Sequence, residues 1–443
     1  MKDRKAFEKR YVLFLACYLL ACATLTIVAP IMPYQMKEKG VPTSLTSVIF
    51  CIFSLAGLLA SIFGGKYLAA KGAKFFVYSG LLGLALSHLI YALLAFVQSK
   101  NIFAVIIILN RCLEGWSFGL IQCMVYGVAS QELAPTEFNR YARTCSASAG
   151  VGGCLSLLAG PYLFSIGGYF LPYFALCGSF VLLAFIMYVS GTLNMKDVKS
   201  TRFLEVLSKS VDEESVTTPE TKIDLKFLLS LPTVKTGCMS ILLSNIVCCY
   251  LDPIFALKML DMGIYAGTAG HIYIFLLLSY SLFGIFGGVL EILADKKTLI
   301  ISGYFVGFLG FCTIAHYVFI GTNYILLIVI GLFLNGYSVI GGNTFATMYT
   351  KAELMNAGEA KGISRKEAGG YFGGVKGSMN LMGSFIGPLI SPNVYLMLGF
   401  DYTCIMMGSI QILFALFFIY TTRNNAAQEN LIELEMNELE KIS

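Results

Sequence analysis

Residues 75–97 read FFVYSGLLGLALSHLIYALLAFV, a run of twenty-three residues without one Lys, Arg, Asp or Glu. As an α-helix this run spans about 35 Å at 1.5 Å per residue, enough to cross a hydrocarbon core of roughly 30 Å. A helix of that length on a water-soluble protein would carry a charged face, and this one has none. Eleven further segments of similar character lie near 11–33, 44–65, 102–130, 139–164, 172–191, 236–259, 267–289, 298–320, 324–349, 370–395 and 403–422. They are continuous Leu/Ile/Phe/Ala/Gly runs rather than ten-residue stretches of alternating polarity, which selects helices over an outer-membrane barrel. The fold class expected is an all-α membrane protein of twelve transmembrane helices.

Composition agrees. Of 443 residues 57% are hydrophobic and 13% charged, with a mean hydropathy of +0.75. A soluble enzyme carries about twice that charge. The formal net charge of +5 comes from scattered loop positions, so no basic face for nucleic acid is expected. No nucleotide loop, nucleophile elbow or zinc spacing appears, so neither enzyme chemistry nor a cofactor nor a metal is expected. The 13 Cys lie mostly in apolar helices, where thiols act as small hydrophobes.

Basic residues set an orientation. Lys2, Arg4, Lys5, Lys9, Arg10, Lys66, Lys71, Lys74, Arg140, Arg143, the 196–235 and 351–376 groups, Lys296, Lys297 and Arg423 border one side, whereas Lys37, Lys39, Lys100 and Lys258 border the other. The asymmetry places both termini in the cytoplasm. Ala21-Cys22-Ala23 could imitate a signal-peptide cleavage site, but the apolar run continues to Pro33.

The long polar interruption from Asn194 to Lys226 divides the helices six and six. The expected organisation is a first half over 1–193, a cytoplasmic linker over 194–235 with a short surface helix at 203–207, a second half over 236–423, and a solvated tail over 424–443. Two echoes relate the halves. Gly160-Pro161 recurs as Gly387-Pro388, and the stretch from Gly65 to Lys74 recurs as Gly288 to Lys297, at nearly one offset. Two related halves rocking about a midplane site is an architecture of alternating-access transporters.

Several motifs carry a family resemblance: Ala29-Pro30-Ile31-Met32-Pro33 closing the first helix; Gly65-Lys66-Tyr67 and Gly72-Ala73-Lys74-Phe75 after the second; Arg111-Cys112-Leu113-Glu114-Gly115 with Gly119 in the fourth; Gly167 to Phe174 entering the sixth; Tyr250-Leu251-Asp252-Pro253 in the seventh. In order and at these helices they resemble the major facilitator superfamily along the whole chain, and more narrowly the vesicular amine transporters, including the vesicular polyamine transporter branch. The resemblance implies proton-coupled antiport of a small organic cation, a polyamine or related amine, across an organelle or vesicle membrane. Its partners would then be that solute, protons and lipid. It also implies gating roles for Lys71, Gly72, Lys74, Gly160, Pro161, Asp295, Lys296, Gly387 and Pro388. The chain departs from the pattern where Ala69 and Ala70 occupy the place of the acid and base that latch the first-half loop, and where Ala21 stands in place of the first-helix acid of monoamine transporters. Those departures keep open a structural or assembly role, or an uncoupled facilitator.

Ionisable residues inside the membrane are costly, at least about 2.5–3.5 kcal/mol on insertion scales, and mark function or pairing. Arg111 and Glu114 are one helical turn apart, either a self-neutralising pair or a proton and amine site. Asp252, beside the helix-breaking Pro253, is a candidate cation ligand or a cap. Tyr273, Tyr280, Asn335 and Asn343 could line a cavity, the tyrosines offering cation–π contacts. Lys376, placed near the cytoplasmic end of its helix, is expected to snorkel to the surface. Asp295 and Lys296 are expected to carry closure of the cytoplasmic side.

Overall fold

A computed structural model describes residues 2–41, 44–191, 193, 231–264, 266–360 and 364–442. The expected surface helix at 203–207 and nearly all of the linker lie outside the described residues. The rest is helical: α1 (Lys2–Glu38); α2 and α3 within Ser44–Leu93; α4 (Lys100–Glu132); α5 (Pro135–Gly167); α6 (Phe170–Val189); α7 (Pro232–Tyr250, continued as Asp252–Asp261); α8 (Ala266–Leu293); α9 (Lys296–Ile314); α10 (Ile325–Val339, Ile340–Phe345, Ala346–Ala360); α11 (Arg365–Leu398); α12 (Phe400–Ile442). Eleven helices among the described residues are long and apolar enough to span a membrane. One of them is two spans in series, broken at Gly72 with φ 73° and ψ 166°, a backbone region that side-chain-bearing residues rarely enter. The break separates α2 (44–71) from α3 (73–93) and gives the twelve spans of the sequence reading.

Local sequence chemistry sets several other boundaries. Pro135 and Pro232 open α5 and α7 at the first turn, where a missing N–H costs nothing. Ser364 caps α11: its hydroxyl accepts from the Glu367 amide at 3.3 Å and donates to the Glu367 carboxylate at 2.8 Å. Pro253 interrupts α7 after Tyr250. In α10 the i→i+4 ladder widens to a π turn over Ile340–Phe345, which turns Asn343 toward α11. The last helix runs on through the expected tail to Ile442.

Outward faces are apolar at helical spacing, as with Leu82 and Leu86 of α3, Val105 and Leu109 of α4, and Leu413 and Leu416 of α12, all exposed. Such stripes suit lipid rather than water. Inward, each half has its own α1-type seam. Gly160 of α5 presses on Ile27 and Ile31 of α1, while Gly387 of α11 presses on the α7 backbone at Ile246–Tyr250. The Gly-Pro echo in sequence is therefore one packing device used twice.

Candidate functional site

The halves join on the side where α1 begins. Along α2 and α11, a Cβ on Gly57 would meet Leu381, one on Gly377 would meet Ser61, and one on Gly65 would touch the Gly374 Cα. Gly373 abuts Gly127 of α4, and the Ser130 hydroxyl donates to the Gly369 carbonyl at 3.1 Å. Arg365 donates to the Leu133 carbonyl at 3.0 Å. Along α5 and α8, Gly150 and Gly284 let the backbones close up and Arg143 pairs with Glu291, while Ser146 of α5 shares a hydrogen bond of 2.5 Å with Thr344 of α10. Among the described residues, the hydrogen bonds, ion pairs and glycine contacts joining the halves reach no further than Gly57 with Leu381 and Cys154 with Ile274. Beyond that level the first half has its own apolar cluster around Met32, Ile49, Tyr91, Phe103 and Tyr173, to which the second half adds no buried residue. Among the described residues, the side on which the halves make no such contact is the one opposite the N-terminus.

Lys376 stands within the seam, little more than a turn before Leu381, and it does not snorkel. It is 1% exposed, with Nζ 2.5 Å from Asn343 Oδ1 and 2.6 Å from Asn380 Oδ1. The third direction is taken by the ring of Tyr126 from the opposite half, 5.2 Å to the centroid. Asn380 Oδ1 also accepts from Asn245 Nδ2 of α7 at 2.7 Å. The snorkelling expectation fails because α11 begins at Arg365, which sets Lys376 about 16 Å into the helix, beyond the reach of its own stem. A clue lay in the sequence: Asn380 is one turn away, and glycines at 373, 374 and 377 strip cover from that face.

Asp252 opens the second segment of α7 and is exposed. Its Oδ1 accepts from the Tyr273 hydroxyl of α8 at 2.7 Å, and that hydroxyl also lies 3.0 Å from the Cys248 carbonyl. Asp252 and Tyr273, separate candidates in the sequence, are therefore brought together. Tyr280, two turns along α8, sits beside Ser146 and Thr344 at the closed seam. Such an arrangement can hold an ammonium group between a carboxylate and aromatic faces.

Arg111 and Glu114 lie elsewhere. Arg111 Nη1 meets Glu114 Oε2 at 2.8 Å with both side chains 1% exposed or less. Tyr91 of α3 donates to the same oxygen at 2.8 Å, and the guanidinium stacks over Phe50 and Phe53 of α2. Gly115 and Gly119, expected to admit a substrate or a helix, admit α2: a Cβ on either would strike the backbone at Phe53 or Gly57. The pair is enclosed by its own half, and α4 packs on α2 and α11 rather than on α7. A cation site shared by Glu114 and Asp252 is not formed. Asn335 is likewise interior to its half, its Nδ2 on the Gly331 carbonyl at 3.0 Å and its amide against Gly310 of α9.

The expected gate is rearranged. Asp295 caps α9, accepting from the amide and hydroxyl of Thr298, so it is occupied locally. Lys296 reaches Asn139 of α5 at 3.2 Å with the Asn139 amide oriented to accept. The ion pair across the seam is instead Arg143–Glu291, one turn before Asp295. Lys71 lies over the rings of Phe63, Tyr67 and Phe75, and Gly72 makes the α2–α3 bend, while Lys74 lies just past it on α3. Ala69 and Ala70, in place of the family latch, line a cleft of about 380 Å³ with Gly65, Lys66, Lys366 and Tyr371. Gly160, Pro161, Gly387 and Pro388 sit on seams within each half.

Residues 14–363 match the family model described as Major Facilitator Superfamily. The MFS-type transporter SLC18B1 of Mus musculus is 26% identical over 98% of this chain and 92% of its own. The human protein of the same name is 24% identical over 93% and 86%. These relatives are related to the vesicular amine transporters. In fold, the solved proton:xylose symporter XylE superposes with a TM-score of 0.70 at 14% identity, covering 95% of this chain and 96% of that one. With twelve spans in two repeated halves, a seam closed on one side and that match over most of its length, the chain belongs to the Major Facilitator Superfamily and is a multi-pass membrane transporter.

Proposed function

We propose that the protein exchanges a small organic cation, a polyamine or related amine, for protons across an organelle or vesicle membrane with both termini cytoplasmic. The observation that carries this reading is Asp252: an exposed carboxylate at the break in α7 that accepts from the Tyr273 hydroxyl and is paired with no cation among the described residues. An ammonium group entering from the gap meets that carboxylate first, and Tyr273 adds an aromatic face. The cytoplasmic seam of glycines and the Arg143–Glu291 pair fits the state in which the lumen has access. Rocking about the level of Lys376 would open the other side. The kinship with SLC18B1 supports transport as such, and the amine is our own inference from Asp252 and the motifs around it.

The test is reconstitution into liposomes buffered acidic inside. Labelled spermidine is expected to accumulate above its equilibrium level and to exchange with unlabelled spermidine without a gradient. Asp252→Asn should lower both. A wild-type protein that neither accumulates nor exchanges amines sinks the proposal.

A further inference from the structure

An amine exchanger must make its two cargoes mutually exclusive, and the centre of this molecule holds a group suited to doing so. Lys376 lies within the seam, about 7 Å along α11 before its last contact at Leu381, between Tyr126 of one half and Asn343 and Asn380 of the other. The titratable groups around it are Tyr126 on α4, Cys22 on α1, Cys145 on α5 and Cys238 on α7. From α2, which also packs on α11, come Ser61 and glycines. Tyr18 and Tyr280 stand one layer further out, beside Cys22 and Cys145. Among the described residues no carboxylate faces it. This contrasts with Arg10, Arg111, Arg143 and Lys258, each of which has its acid, whereas Lys351, also buried, lies over the Phe138 ring.

The geometry accommodates either protonation state. Two amide oxygens take two N–H donors, the number a neutral amine retains. The third direction, over the Tyr126 ring, favours a proton there only through the ring's quadrupole. Arg111 has no such latitude, because its carboxylate partner fixes its charge. From Lys376 a polar seam runs along α7 and α11 toward Asp252. Asn245 and Asn380 meet at 2.7 Å, Ser384 donates to the Asn380 carbonyl at 3.1 Å, and Cys249 reaches Ser384 at 3.5 Å. Ser384 is about 12 Å along the helix from Lys376, two turns toward Asp252.

We propose that Lys376 is the proton carrier of the exchange: charged while the gap is empty of amine, and neutral while an amine is held at Asp252 and the facing tyrosines. This rests on the amine exchange proposed above and adds what does the coupling. A second cation in the same low-dielectric gap repels the ammonium of Lys376. Entry of the amine therefore breaks one N–H bond on Lys376 and passes that proton to water on the side then open. Departure of the amine on the acidic side restores it from water there. No electron moves: one proton leaves Lys376 for water when an amine enters, and one returns from water when it departs.

Two variants and one wild-type measurement test this. In weakly buffered detergent solution with a pH indicator, spermidine added to the wild-type protein should release protons. Lys376→Gln should release none and lose gradient-driven accumulation to the level of empty liposomes, yet still exchange spermidine for spermidine, which also reports that it is folded. Lys376→Arg, charged at every accessible pH, should lose exchange as well. Should K376Q not survive purification as a monodisperse protein, K376R and wild-type proton release carry the test. Gradient-driven accumulation or proton release by K376Q, exchange by K376R at the wild-type rate, or spermidine binding to wild type without proton release would overturn the inference while leaving amine transport standing. A wild type that transports no amine at all would overturn both.

Discussion

Glu114 and Asp252 are both acids in apolar helices by sequence, and the structure gives them opposite surroundings. Glu114 neutralises Arg111 at 2.8 Å and takes a second hydrogen bond from Tyr91. Removing one member of such a pair strands the other, at a cost of about 3–5 kcal/mol. Glu114→Gln is therefore expected to lower the unfolding temperature sharply, read from the fluorescence of Trp116, the single tryptophan, which lies on the same helix. Replacing both, Arg111→Met with Glu114→Leu, should recover much of that loss. Asp252→Asn, exposed and held by one hydroxyl, should cost about 1 kcal/mol or less. Equal losses for the two acids would refute the distinction. The i, i+3 pairing was legible because it needs only helical periodicity. Lys376 was not, since its depth depends on where α11 starts and on partners from α4 and α10, which no local pattern encodes.

At the scale of elements, α11 is a glycine rail. Gly373 and Gly374 face the Gly127 and Gly65 backbones at distances that leave no room for a Cβ. Gly373→Leu overpacks this contact by about 1–3 kcal/mol, and the strain is relieved by parting the seam. A cysteine introduced at Ser130 is expected to react faster with an aqueous maleimide in that background than in the parent; an unchanged rate would mean the rail bends without opening. The ion pair makes a parallel case. Glu291→Gln removes a charge bridging α5 and α8 and should shift the protein toward cytoplasmic opening by the same labelling. Asp295→Asn should cost well under about 1 kcal/mol, since Asn caps a helix about as well as Asp. A larger shift for Asp295 than for Glu291 would restore the gate read from the sequence. Loop charges mark a gate only approximately, because one helical turn decides whether a side chain faces the other half or its own cap. The α1/α5 and α7/α11 seams, by contrast, were announced by the repeated Gly-Pro, since both copies meet the same packing demand.

For the whole molecule, the two seams between the halves are related by the internal repeat but filled differently. The repeat that aligns Gly65 with Gly288 aligns Leu68 with Glu291. Leu68 meets the glycines of α11 and α4, whereas Glu291 meets Arg143. Closure of the α2/α11 seam thus rests on apolar contact between backbones, and closure of the α5/α8 seam on a charge pair. If both must part for the cytoplasmic side to open, a covalent tie across either one stops the cycle. On α4, beside the α2/α11 seam, the Ser130 hydroxyl lies 3.1 Å from the Gly369 carbonyl of α11, and a Cβ built on Gly369 points at it once the Gln131 side chain moves aside, so cysteines at 130 and 369 are within reach of a disulfide. Oxidised in liposomes, the double variant should lose transport to the level of empty liposomes and regain it on reduction, while each single variant transports under both conditions. Undiminished transport by the oxidised, cross-linked protein would show that this seam does not have to open, and would leave the α5/α8 side as the moving gate.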